Sequence, residues 1–180
     1  APLFIQSILA TFMITYAVAQ GHSQSTALWM VTIANFLMIF TIPAFAALSD
    51  RVGRRKVILA GYVFAAGVIW PMFYLIDLQN TVLLLVAFIL GNPLAMAFMY
   101  GPMGAYFSEK FDPTTRYTGV SLSYQLSTLA GAGFAPLIAA SLLSAANGGT
   151  HLVSIYVVIL CVVGAIAVTF GKVGPPAASK

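Results

Sequence analysis

Six apolar runs, each close to the ~20 residues a helix needs to cross a hydrocarbon layer, constrain this chain more than anything else in it. Inside lipid the backbone has no water to bond, so a spanning segment must satisfy its own amides and carbonyls, and runs of this length do so as helices. Apolar windows place the runs at 3–20, 27–48, 57–76, 80–107, 117–145 and 151–170. Composition agrees: 61% of the 180 residues are hydrophobic and 7% are charged, more apolar surface than one soluble core of this length absorbs. The expected class is an all-α membrane protein, one six-helix unit over 1–171 followed by a tail at 172–180. The first residues, APLFIQ, bring neither an initiator methionine nor a basic stretch, so a secretory signal is a poor reading and the chain is expected to begin inside a longer protein.

The connections separate into two chemical kinds. Arg51, Arg54, Arg55 and Lys56 follow the second run, Lys110 and Arg116 the fourth, and Lys172 and Lys180 the sixth. The opposite connections, among them Gln20 to Ser25 and Asn147 to Thr150, hold no lysine or arginine, and their only carboxylate is Asp77. Basic loops stay in the cytoplasm, so that face and both ends of the chain are expected there. The net charge of +4 is then explained by basic loops beside anionic headgroups, and no nucleic-acid partner is needed.

The interiors of the runs contain no Asp, Glu, Lys or Arg, and His22 and His151 fall at span ends. An intramembrane enzyme needs an acid, a base or a nucleophile pair at depth, so catalysis is not expected. Proton-coupled machines place ionisable groups at depth, so any coupling residue is expected outside this stretch. The lone Cys161 lies in an apolar run and permits neither a disulfide framework nor a cysteine metal cluster; no metal site and no cofactor are expected.

After the second run the chain reads Leu48-Ser49-Asp50-Arg51-Val52-Gly53-Arg54-Arg55-Lys56. This closely resembles the cytoplasmic signature of the major facilitator superfamily, which joins paired helices in each half of a 12-helix fold. The resemblance implies that Asp50, Arg51, Arg54 and Arg55 belong to a charge network that latches one access state. A carboxylate at a helix C-terminus is disfavoured by the macrodipole, so Asp50 needs a nearby cation or another helix's N-terminus. The family's usual glycine four residues earlier is Ala46 here. Glu109 and Arg116 flank the next basic loop as the pair that such transporters carry there, expected to meet Arg54, Arg55 or Asp50. The run Arg116-Tyr117-Thr118-Gly119-Val120-Ser121-Leu122-Ser123-Tyr124-Gln125, with Gly131 to Pro136 downstream, is similar to the metabolite:proton symporters, which carry proline, betaine, shikimate, oxoglutarate or citrate. In this chain the family's Glu-x-Phe-Pro order has its proline displaced to Pro113.

The fifth helix repeats small residues every fourth position, at Gly119, Ser123, Ser127, Gly131, Ala135 and Ala139, which suits either static close packing or sliding. Beside that stripe Tyr117, Ser121, Tyr124, Gln125 and Thr128 gather at helical spacing, a polar side that should face a cavity or another helix. In the fourth helix Gly91-Asn92-Pro93 interrupts the span near its middle, with Met96, Met99, Tyr100 and Met103 alongside, and such interruptions point to transporter sites. Asn92, Tyr100, Tyr124, Gln125 and Thr128 are therefore the pathway candidates. Ser7, Thr11 and Thr15, with Gln6 and Tyr16 nearby, form a row that either lines the path or bonds back to its own helix. The third and sixth helices read as lipid-facing. The expected function is secondary transport of a small polar metabolite, proton-coupled, with lipid and an absent N-terminal half as partners. The alternatives are a sugar or drug carrier of the same superfamily, or a stand-alone six-helix membrane subunit.

Overall fold

A computed structural model describes residues 2–108 and 116–170, without the side chains of Arg116 and Ala132. Residues 109–115, with Glu109 and the turn expected there, and the tail expected at 172–180 lie outside the described residues. Among the described residues six helices are long and apolar enough to cross a membrane: α1 (Pro2–Ala19), α2 (Gln24–Val52), α3 (Arg54–Asp77), α4 (Thr81–Ser108), α5 (Arg116–Ala145) and α6 (His151–Phe170). The chain is an all-α membrane protein that crosses the bilayer repeatedly.

Local chemistry explains where the helices stop. The Ser23 hydroxyl accepts the Thr26 amide at 3.1 Å and starts α2, while Asn80 Oδ1 accepts the Val82 amide at 2.9 Å and starts α4. Between α2 and α3 the reversal is the single residue Gly53, at φ 105° and ψ 126°, a conformation that a side chain disfavours. Apolar windows end α2 at 48 and start α3 at 57, because they stop at charge. The helices themselves run on, since a helix leaving the hydrocarbon needs no new backbone partners.

The core lies among α1, α3, α4 and α6. Phe12, Tyr16 and Phe73 meet edge-to-face at 5.3–6.3 Å, tying α1 to α3. Next along the bundle α2 packs on α4, and α5 packs on α1. Two of these contacts bring backbone to backbone. A Cβ at Gly101 would lie 3.0 Å from the Ala46 nitrogen and the Ile42 carbonyl, so the glycine that lets α2 be approached closely at Ala46 is supplied by α4. A Cβ at Gly131 would lie 3.0 Å from backbone atoms of Leu3 and Phe4, so α1 seats on α5 at that residue of the small-residue stripe.

Apolar exposure follows the sequence expectation in α6, where Ile155, Ile159, Val162, Val163 and Ile166 are exposed, and departs from it in α3. One face of α3, through Ile58, Tyr62, Ala65, Ile69, Met72, Phe73 and Ile76, is buried, and only Val63, Trp70, Tyr74 and their neighbours face outward. The helix is wedged between α4 and α6. In α2, by contrast, Trp29, Phe36, Ile39 and Phe40 are 60–64% exposed, and in α5 Leu126, Leu129 and Leu137 are 66–72% exposed.

Candidate functional site

Between α1 and α5 lies a hollow of about 210 Å³ lined by Leu3, Gln6, Ser7, Ala10, Tyr124 and Thr128. Its polar groups are an amide, two alcohols and a phenol. The Tyr124 hydroxyl lies 2.6 Å from the Tyr100 hydroxyl, which brings α4 into the same assembly. Thr128 Oγ1 donates to the Tyr124 carbonyl at 2.9 Å, so that hydroxyl is oriented by its own helix. No charged side chain lines the hollow among the described residues.

Of the five pathway candidates the fold unites Tyr100, Tyr124 and Thr128. Gln125 is exposed on α5 and lies outside the lining. Asn92 is 2% exposed inside α4, and its Nδ2 has no partner among the described residues. Gly91-Asn92-Pro93 does not break α4. The span stays continuous through a π-helical segment, Leu90–Met96, because a wider turn re-aims neighbouring amides where Pro93 offers none. The companion methionines Met96, Met99 and Met103 are buried in the bundle. Gln6 and Ser7 reach the hollow from the polar row of α1. Thr15 of that row bonds back to the Thr11 carbonyl at 3.3 Å.

At the basic end Asp50 Oδ1 accepts from Arg54 at 3.1 Å, four residues on across the Gly53 reversal. The pair brings a cation and the N-terminus of α3 to a carboxylate at the C-terminus of α2, which is what the macrodipole requires there. Arg55 donates to the Thr169 carbonyl in the last turn of α6, a cation on the negative end of that helix. Arg51 is exposed. Glu109 and the Arg116 side chain, the other members expected of this network, lie outside the described residues.

At the opposite end lies a polar cluster whose members are about 60 residues apart, too far for sequence spacing to show. The Tyr16 hydroxyl donates to Asp77 Oδ1 at 2.6 Å and accepts from Gln20 Nε2 at 2.7 Å. Gln79 Nε2 donates to the Gln20 carbonyl at 2.8 Å, and buried His22 places Nε2 3.1 Å from the Ile76 carbonyl. The C-terminal end of α1 is thus bonded to the α3–α4 turn.

Comparison with known proteins agrees with this architecture. The sequence pattern described as Major Facilitator Superfamily matches residues 3–180. The shikimate transporter of Escherichia coli K12 is 29% identical over 171 residues, 94% of this chain and 39% of that protein. The citrate-proton symporter of Klebsiella pneumoniae is 32% identical over 63% of this chain and 25% of its own length. The proline/betaine transporter of Escherichia coli K12 is 29% identical over 88% of this chain and 31% of its own length. The chain therefore spans between a quarter and two fifths of these relatives. No solved structure matches it.

Proposed function

The chain belongs to the major facilitator superfamily, and on that premise we propose that it is the C-terminal half of a secondary transporter for a small polar metabolite, an organic acid or a compatible solute. The observation that carries this reading is the hollow lined by Gln6, Ser7, Tyr124 and Thr128, with Tyr100 joined to it. At about 210 Å³ it is smaller than the roughly 300–1,000 Å³ of complete small-molecule sites, as befits one wall of a site whose other wall is an N-terminal half. The names of the relatives support the solute class: shikimate, citrate, and proline or betaine.

Transport is proton-coupled, and the titrating group belongs to the other half, because the described span interiors here hold no carboxylate or histidine. The charged moiety of the solute is met there too, and this half reads its neutral hydroxyl and carbonyl groups. Asn92 and Gln125 are secondary contacts that become available as the halves rock. Asp50, Arg51, Arg54 and Arg55, with Glu109 and Arg116, form the latch on the cytoplasmic face, and the small stripe of Gly119, Ser123, Ser127 and Gly131 is the surface on which α5 adjusts. The protein resides in the cell membrane with its basic end in the cytoplasm. A sugar carrier is the second reading, favoured by the same uncharged lining.

Uptake by the full-length transporter in proteoliposomes tests these statements with shikimate, citrate, proline and glucose as probes. Saturable uptake of one of the first three, abolished by a protonophore, is expected. Gln6→Ala and Tyr124→Phe should each raise KM about two- to tenfold, the equivalent of the ~0.5–1.5 kcal/mol of a neutral hydrogen bond. Uptake of glucose alone selects the sugar reading, and unchanged KM in both variants removes the hollow as the site.

A further inference from the structure

The polar groups of the hollow between α1 and α5 are not all free to choose their hydrogen-bonding sign. Gln6 carries two donors and a carbonyl acceptor, and the Ser7 hydroxyl carries one proton and two lone pairs, so each meets a solute group of either sign. Thr128 differs. Its single hydroxyl proton is given to the Tyr124 carbonyl at 2.9 Å, four residues back on α5. What Thr128 turns to the hollow is therefore its lone pairs. A solute proton donated to them adds a hydrogen bond. A solute acceptor has to draw the proton off the Tyr124 carbonyl first, which replaces one bond by another with no gain.

Tyr124 supplies the opposite sign. Its hydroxyl and that of Tyr100 lie 2.6 Å apart and hold two protons, of which one sits between the oxygens. Tyr124 lines the hollow and Tyr100 does not. With Tyr100 as the donor, the second proton is on Tyr124, within reach of a solute oxygen and polarised by the bond behind it. With Tyr124 as the donor, the second proton belongs to Tyr100, away from the lining. A solute that brings an acceptor favours the first arrangement, so Tyr100 acts through Tyr124 as a positioning residue. Leu3 and Ala10 complete the lining with an apolar surface for a carbon skeleton.

We propose that Thr128 determines specificity in this hollow by selecting solutes that carry a hydroxyl, while Tyr124 donates to a second oxygen of the same molecule. The class is a hydroxylated small metabolite. A solute with acceptors alone, such as a betaine or a carboxylate without a hydroxyl, forgoes the Thr128 bond and is held more weakly. The inference rests on the reading of the hollow as one wall of the solute site. On that reading charged groups are met by the other half, which leaves the hydroxyl as the neutral donor that this half meets.

Equilibrium binding to the purified full-length transporter, measured by isothermal titration calorimetry with two matched pairs of probes, tests the selection. Citrate and tricarballylate differ by one hydroxyl on a chain, and hydroxyproline and proline by one hydroxyl on a ring. In at least one pair the hydroxylated member should bind roughly three- to tenfold more tightly, the range of one neutral hydrogen bond. Thr128→Val keeps the branched shape without the hydroxyl and should erase that preference, whereas Thr128→Ser should retain it. Tyr100→Phe should weaken both members of a pair by the same factor, since both carry the oxygen that Tyr124 meets. A packing defect in Thr128→Val would weaken both members alike and leave their ratio as it was, so the ratio separates specificity from fold. Equal binding within both pairs, or a preference that survives Thr128→Val, overturns the assignment to Thr128. Where such binding still weakens in Gln6→Ala, the hollow stands as the site and this inference alone falls. Binding indifferent to Gln6→Ala, Tyr124→Phe and Thr128→Val removes the hollow and the inference together. Failure of both hydroxylated probes to bind overturns the selection, whatever the other two do.

Discussion

Asp50 and Asp77 each end a helix, where the macrodipole works against a carboxylate, and the fold answers the two cases differently. Asp50 is met by Arg54 within one turn of sequence. Asp77 is met by the Tyr16 hydroxyl, 61 residues away and 3% exposed. The requirement was legible for both residues in the same physical rule, whereas the partner was legible only for Asp50, because a local cation can be counted in sequence and a distant phenol cannot. The Tyr16–Asp77 bond has one buried and one exposed end, so its contribution should be about 1–2 kcal/mol, below the ~3 kcal/mol upper figure for a hydrogen bond to a charged group. Tyr16→Phe and Asp77→Asn should each lower the thermal unfolding temperature of the full-length transporter. The double variant should cost no more than the larger single effect plus about 0.5 kcal/mol, the signature of two groups sharing one interaction. Fully additive losses would show that the bond contributes nothing.

Six spans could be read from the sequence because lipid imposes one length and one composition on every helix that crosses it. Finer features were less legible. The Gly91-Asn92-Pro93 sequence announces a disturbance in α4 but not its form, a π turn in an unbroken helix, and nothing in Ile8–Phe12 announces the matching turn in α1. The stripe of α5 shows the same limit. Residues four apart advance about 40° around a helix at each step, so a long stripe winds away from any single neighbour. Gly131, Ala135 and Ala139 are buried, while Gly119, Ser123 and Ser127 are only half-buried. The two ends of the stripe should therefore respond differently to bulk. Gly131→Leu places atoms against the backbone of Leu3 and Phe4, which cannot rotate away as a side chain can, and should sharply reduce the yield of monodisperse full-length protein. Ser123→Leu should keep that yield and lower turnover more than affinity. Equal yields for the two variants, measured by size-exclusion chromatography, would contradict the seating of α1 on Gly131.

Across the whole molecule, charge and apolar surface follow different axes. Along the bilayer normal, Arg51, Arg54, Arg55 and Lys56 cluster at one end, while the opposite turns hold glutamine, serine, threonine, asparagine, histidine and the bonded Asp77. Around the bundle, the exposed Trp29, Phe36, Ile39 and Phe40 of α2 and Leu126, Leu129 and Leu137 of α5 make broad apolar faces of the kind lipid covers. The first axis is the basis of the orientation proposed above: each basic side chain gains about 1 kcal/mol beside anionic cytoplasmic lipid, which translocating the cluster would forfeit. Single cysteines at Gln24 and Gly148, both exposed at the uncharged end, should react in intact cells with an impermeant thiol reagent. A cysteine at Val52, 49% exposed beside Gly53, should react only after permeabilisation. The proposed latch depends on that orientation, since Asp50 and Arg54 would close an inner mouth only from the inner side. Labelling of position 52 in intact cells, with positions 24 and 148 protected, would reverse the orientation and remove the latch with it.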